Sequence, residues 1–144
     1  MFGPWAFASA VGILGFFGYR SFKAQNEHPS FNDEILPCEG KPNCISTSGP
    51  ESHLGASWQL KGDFAALKRF IIEKGPEVVK DSESFLHVVF KSTFFRYPDD
   101  FVVKRVGDKL FYRSSSRVGY SDMGVNRKRI ELFQDELRQL KLID

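Results

Sequence analysis

Residues 101–116 read FVVKRVGDKLFYRSSS. Two runs rich in β-branched and aromatic residues flank Gly107-Asp108, a dipeptide that closes tight hairpin turns. The reading is an antiparallel hairpin, Phe101–Val106 returning as Leu110–Ser116. Upstream, Phe85–Ser92 places Leu86, Val88 and Phe90 on one face and Phe85, His87 and Val89 on the other. A strand apolar on both faces belongs in the middle of a sheet. Glu77–Asp81 forms a further short strand.

Helices bracket these strands. Asp63 is a good N-cap for a helix carrying Phe64, Leu67, Phe70 and Ile71 on one face, and Gly75-Pro76 stops it. Residues 127–141 carry Ile130, Phe133, Leu137 and Leu140 at spacings of 3, 4 and 3, a single apolar stripe. The expected fold is α+β: a four-stranded antiparallel sheet with two helices covering one face, in the order α-β-β-β-β-α, over residues 61–144.

The chain has 144 residues, room for one domain and a short appendage. Apolar residues make up 42 % and charged ones 26 %, a globular composition rather than a disordered one. Lys and Arg total 20 against 18 Asp and Glu. A formal charge of +2 excludes a generally cationic nucleic-acid binder, so no nucleic-acid partner is expected.

Met1–Tyr19 carries no charged side chain, and the first charges are Arg20 and Lys23. As a helix these residues would span about 28 Å, close to the hydrocarbon thickness of a bilayer. Trp5 and Tyr19 stand where interfacial aromatics would stand. Residues 1–22 are therefore expected to form a single-pass transmembrane anchor. The competing readings are a buried helix and a cleaved signal, although no basic residue precedes the apolar run. Gly12, Gly15 and Gly18 would give a smooth face against another helix.

Residues 23–60 are rich in Pro, Gly, Ser and Asn and hold no sustained apolar period, so they read as an extended linker. Within them lies Cys38-Glu-Gly-Lys-Pro-Asn-Cys44. In an oxidising compartment these cysteines would close a small ring. A Cys2His2 metal site with His28 and His53, a redox-active pair and two free thiols are the alternatives; the spacing matches no standard zinc pattern and is not Cys-x-x-Cys. The membrane side is contested. Arg20 and Lys23 after the span favour a cytosolic domain, whereas paired cysteines favour an exported one, in the periplasm, a lumen or an intermembrane space.

The densest chemistry runs from Tyr112 to Arg129. Between Lys91 and Arg129 ten basic and four acidic residues leave an excess of six positive charges. Arg127, Lys128 and Arg129 follow Asn126, the expected N-cap. Cations there oppose the helix dipole, at a few tenths of a kcal/mol each. Arg113 and Arg117 share a strand face with Ser115. Either Asp99, Asp100 and Asp122 pair with these arginines and pin the hairpin to the helix, or the cations and free N–H groups hold an anionic ligand. Three acids cannot neutralise five cations, so the two readings coexist. Catalysis finds little support: there is no Gly-x-Ser-x-Gly elbow, no His-Glu-x-x-His and no phosphate-loop pattern. Asp99 and Asp100 are adjacent on a strand and point to opposite faces, unlike an acid/base pair. His87 reads as a satisfied interior histidine. No catalytic residue, metal or cofactor is expected.

Three stretches resemble the family called domain of unknown function 1499: Leu36-Pro37-Cys38 with Pro42-Asn43-Cys44-Ile45-Ser46, Phe94–Asp100, and above all Arg113–Arg129. The resemblance covers roughly residues 36 to 140. It implies a small domain often set behind a signal or anchor, with no known activity or catalytic residue, and it favours the paired cysteines and an exported domain. The expected function is a membrane-anchored, non-enzymatic accessory or binding module. Such a module would be a subunit or stabiliser of a larger membrane-protein assembly. The alternative is a binder of an anionic lipid or small molecule at the basic strand–helix junction.

Overall fold

A computed structural model describes residues 12–13, 15–16, 19–20, 22–24, 26–49, 54–93 and 96–144. The elements run β1 (Cys44–Ser46), β2 (Trp58–Gln59), α1 (Phe64–Glu73), β3 (Glu77–Asp81), β4 (Phe85–Lys91), β5 (Pro98–Val106), β6 (Lys109–Ser116) and α2 (Val125–Gln139). The sheet is antiparallel in the order β1-β6-β5-β4-β3, with β2 also on β6. The hairpin of β5 and β6 turns through Gly107 at φ +63°, a conformation that costs glycine nothing. Pro98 opens β5, the one strand position where a missing N–H does no harm to the ladder.

The sheet has six strands, not the expected four. Both additional strands come from the Pro- and Gly-rich stretch and line the same free edge of β6: Cys44–Ser46 opposite Arg113–Ser115, Trp58–Gln59 opposite Lys109–Leu110. Strands of three and two residues are too short for alternation to show, and only the unpaired edge of β6 defines them. The expected transmembrane helix is likewise not found among the described residues. Among the described residues no helix is long and apolar enough to cross a bilayer. The described residues between Gly12 and Asn26 are helical, but Arg20 and Lys23 interrupt their apolar character. Residues 1–11, 14, 17, 18 and 21 of the expected anchor lie outside the described residues.

β4 is central, as its two apolar faces required. One face meets both helices: Leu86, Val88, Phe101, Val103, Leu110 and Tyr112 pack with Leu67, Ile71, Ile130, Phe133 and Leu137. Phe133 meets Phe101 edge-on at 5.4 Å between ring centroids. Asp63 caps α1 by accepting from the Ala65 N–H at 3.1 Å. Leu140, expected in the α2 stripe, is exposed at the C-cap because the helix ends before it.

The opposite face is covered by residues upstream of β1. Phe31, with Ile35 beside it, packs on Phe85 and Val102. That segment is held by a disulfide between Cys38 and Cys44, whose Cα atoms are 5.8 Å apart. The bridge disposes of the Cys2His2 alternative, since both sulfurs are spent on each other; His53 lies outside the described residues. Closing so short a loop constrains the unfolded chain by roughly 2 kcal/mol. The urea midpoint of reduced protein should drop accordingly, and an unchanged midpoint would mean that the cover stays in place without the bridge.

Candidate functional site

The strand–helix junction is a polar network threaded through both faces of the sheet. On the helix side, the Asp99 carboxylate accepts from the Ser116 hydroxyl at 2.6 Å and from Arg129 at 2.8 Å. Arg129 also donates to Asn126 Oδ1 at 2.6 Å and to Ser114 Oγ at 3.1 Å, with its guanidinium 4.7 Å from the Phe90 ring centroid. Asn126 is buried. Its Nδ2 donates to Asp122 Oδ2 at 2.7 Å, Ser116 Oγ at 3.0 Å and the Asn43 carbonyl at 3.2 Å, and its Oδ1 accepts from Ser114 at 2.6 Å.

Asn126 is therefore the hub of the junction and not the helix cap it was expected to be. The cap residue is Gly124, at φ +79°. Asp122 does the capping from outside the helix, accepting from the Gly124 N–H at 2.9 Å and the Asn126 N–H at 2.8 Å. A carboxylate at this end offsets the dipole that Arg127, Lys128 and Arg129 oppose. Asp122 consequently pairs with no arginine, contrary to one of the three expected ion pairs.

The other face carries Asp100. Arg117 grips it bidentately, Nε to Oδ2 and Nη2 to Oδ1 at 2.7 Å each, and His87 Nε2 lies 2.6 Å from Oδ1. Arg117 also donates to the carbonyls of Ala24 and Glu27 at 2.8 Å each, and its Nη2 lies 3.2 Å from His28 Nδ1. One guanidinium thus ties the segment preceding Phe31 to the sheet. Arg113 reaches only a hydroxyl, Ser115 Oγ, and stacks on Phe31 with 5.5 Å to the ring centroid. Burial pushes the Arg113 guanidinium below its usual value, partly countered by the charges of Asp100 and Glu39. Burial likewise pushes the Tyr112 phenol up to about 12.

For Asp100, burial alone would raise the carboxyl, but hydrogen bonds from Arg117 and His87, together with their charges, outweigh it and hold the group below its ordinary 3.8. A depressed folded value stabilises the fold above the unfolded value and ceases to do so as pH falls through the folded one. Stability should therefore decline as pH falls below about 4. In Asp100→Asn that part of the decline should vanish from denaturation curves recorded across the acid range; an unaltered acid profile would show that Asp100 does not carry it.

Two of the five cations, Arg127 and Lys128, are exposed, and their side chains make no hydrogen bond or ion pair among the described residues. Beside them the loop from Val118 to Gly124 projects apolar side chains: Met123 is 89 % exposed and Tyr120 71 %, and Val125 follows at the helix start. Behind this tip lies a recess of about 390 Å³, walled by Tyr97, Val118, Met123 and Val125 and floored by Asp99 and Ser116. Among the described residues no three His, Cys, Asp or Glu side chains group to hold a metal ion.

Sequence reasoning located every charged member of the network but missed Ser114, Ser116, Asn43 and His87 as their partners. The signal available was Ser114-Ser115-Ser116, three hydroxyls at the end of a strand otherwise built of large residues.

Fold and site together define a small α+β domain, disulfide-closed, whose basic motif is folded inward on itself. The chain belongs to the DUF1499 family: the model for this protein family of unknown function matches residues 34–137. No curated protein and no solved structure matches the chain. The matched span holds both cysteines, all three aspartates and all five cations. It excludes Phe31 and the Ala24–His28 tie to Arg117.

Proposed function

We propose that the chain is a non-enzymatic binding module, an accessory subunit of a membrane-associated assembly working in an oxidising compartment. The observation that carries this reading is the loop tip of Tyr120, Met123 and Val125, apolar side chains projected into solvent from a rigidly networked base. Large exposed apolar groups gathered at one place mark an interaction surface. The groups suited to proton chemistry support the same reading. His87 and Asp100 are 3 % and 2 % exposed and are bound to each other, and the Asp99 carboxylate is taken up by Ser116 and Arg129. The Cys38–Cys44 bridge supports an exported location, because such bridges persist where thiols are not kept reduced. A small anion seated on the helix start has less support, since Asp122 already accepts from those N–H groups.

A photo-reactive phenylalanine placed at Met123 in living cells tests this. Covalent adducts are expected there and not from the same group at Asp108, on the opposite end of the hairpin. Equal or absent adducts at both positions would sink the proposal.

A further inference from the structure

We infer that the surface covering this tip is an anionic lipid bilayer, which Met123, Tyr120 and Val125 enter while Arg127 and Lys128 meet the headgroups. The inference rests on the binding-module reading and assigns its partner.

Three observations carry it. The first is shape. A specific protein–protein interface engages about 20–30 residues a side, whereas this tip offers a few protruding side chains at a loop. Protrusion suits shallow insertion. Tyrosine favours the bilayer interface, and methionine is unbranched and adaptable. Met123 is held in the left-handed region at φ +55°, a conformation uncommon for a side chain of its size. The hydroxyl of Ser121 accepts from its N–H at 3.2 Å, and the Asp122 carboxylate fixes the next residue. Local strain retained to project an apolar group points to use.

The second observation is charge. Arg127 and Lys128, in the first turn of α2 beside the tip, are exposed, and their side chains make no hydrogen bond or ion pair among the described residues. The acids of the junction cannot answer them: Asp99 is bound to Arg129, Asp100 to Arg117, and Asp122 is turned onto the helix start. The chain's net charge is only +2, so this is a local complementarity to a negative surface and not a property of the whole molecule.

The third is continuity along α2. Val125, Lys128 and Leu132 share one helix face, and Leu132 is also exposed. Apolar and cationic side chains thus extend back from the tip along a single side as far as Leu132, beyond which Glu136 is neutralised by Lys74, as in elements that lie on a bilayer surface.

The test uses the full oxidised chain, with Met123→Cys carrying an environment-sensitive fluorophore, in nanodiscs of phosphatidylcholine alone or with phosphatidylglycerol added. Asp108→Cys carries the same dye as a control. It sits at the far end of β6, whose eight residues span about 26 Å at 3.3 Å per residue, so tethering by other parts of the chain affects both positions alike. Both substitutions fall on exposed side chains. Blue-shifted emission at 123, quenched by lipids bearing spin labels, is expected only in anionic discs, and the dye at 108 should stay in water. Each of Arg127→Gln and Lys128→Gln should lower the docked fraction about fivefold, and raised salt should do the same. A blue shift of equal size in neutral and anionic discs overturns the inference, as does a dye at 123 that remains in water in both. Should the dye stay in water while cellular adducts at Met123 form on protein, the bilayer assignment falls and the binding-module reading stands.

Discussion

Arg117→Ala is expected to cost about 3–5 kcal/mol of folding stability, the range found when one partner of a buried ion pair is removed. The side chains of Arg117 and Asp100 are 8 % and 2 % exposed. Without the guanidinium, Asp100 remains a carboxylate out of reach of water, with only His87 in contact. The same substitution orphans the carbonyls of Ala24 and Glu27 and frees the segment that lays Phe31 on the sheet. Arg117→Lys should recover only part of the loss, since one ammonium cannot grip both carboxylate oxygens and two carbonyls in a plane. Replacing both Arg117 and Asp100 by apolar residues should cost less than Arg117→Ala alone, because no buried charge is then stranded. Urea unfolding followed by circular dichroism decides the matter. A loss below about 1 kcal/mol for Arg117→Ala would place the pair among ordinary surface bridges and show that Arg117 does not hold the segment before Phe31 on the sheet.

Asn126→Ala should cost about 3 kcal/mol or more. The amide donates to Asp122, Ser116 and the Asn43 carbonyl and accepts from Ser114 and Arg129, so one truncation unpairs groups on β6, α2 and the loop before β1. Each buried polar group left without a partner costs about 1–3 kcal/mol, although several here keep a second partner. Asn126→Asp is the sharper probe. It keeps the shape but sets a carboxylate where Asp122 Oδ2 now accepts a hydrogen bond from the amide at 2.7 Å, so like charges replace a hydrogen bond. Its loss should match or exceed that of alanine at neutral pH and shrink in mild acid. A variant as stable as the parent chain would mean that the hub is ornamental and that packing alone sets α2 against the sheet.

The two substitutions also separate the faces of the network. Arg117 acts on the side covered by Phe31, and Asn126 on the helix side. Their effects should add to within a few tenths of a kcal/mol, since no partner is shared between them.

What could be read directly from residues was local. The β5–β6 hairpin follows from Gly107-Asp108 between two strand-forming runs. The central place of β4 follows from apolar residues on both its faces, the start of α1 from Asp63, and the core stripe of α2 from the spacing of Ile130, Phe133 and Leu137. Even the divergence of Asp99 and Asp100 followed from the period of two. These inferences use periods and caps that act over a few residues, and neighbours in sequence suffice to state them.

Pairing across long separations was beyond that reach. Asp99 could have met any of five cations; it met Arg129, 30 positions on, while Asp100 met Arg117 from the reverse face. The identity of Asn126 as hub and of Asp122 as cap depended on Gly124 ending the loop at positive φ, which moved the helix start two residues earlier than the cationic run suggested. β1 and β2 exist because β6 had an unsatisfied edge, and an edge is a property of an assembled sheet. The second apolar face of β4 demanded a cover, but the need does not say which segment supplies it; Phe31 does, under the clamp of Cys38–Cys44. Local patterning set the strands and helices, whereas burial of charge, which is tolerable only when every partner arrives together, was decided in three dimensions.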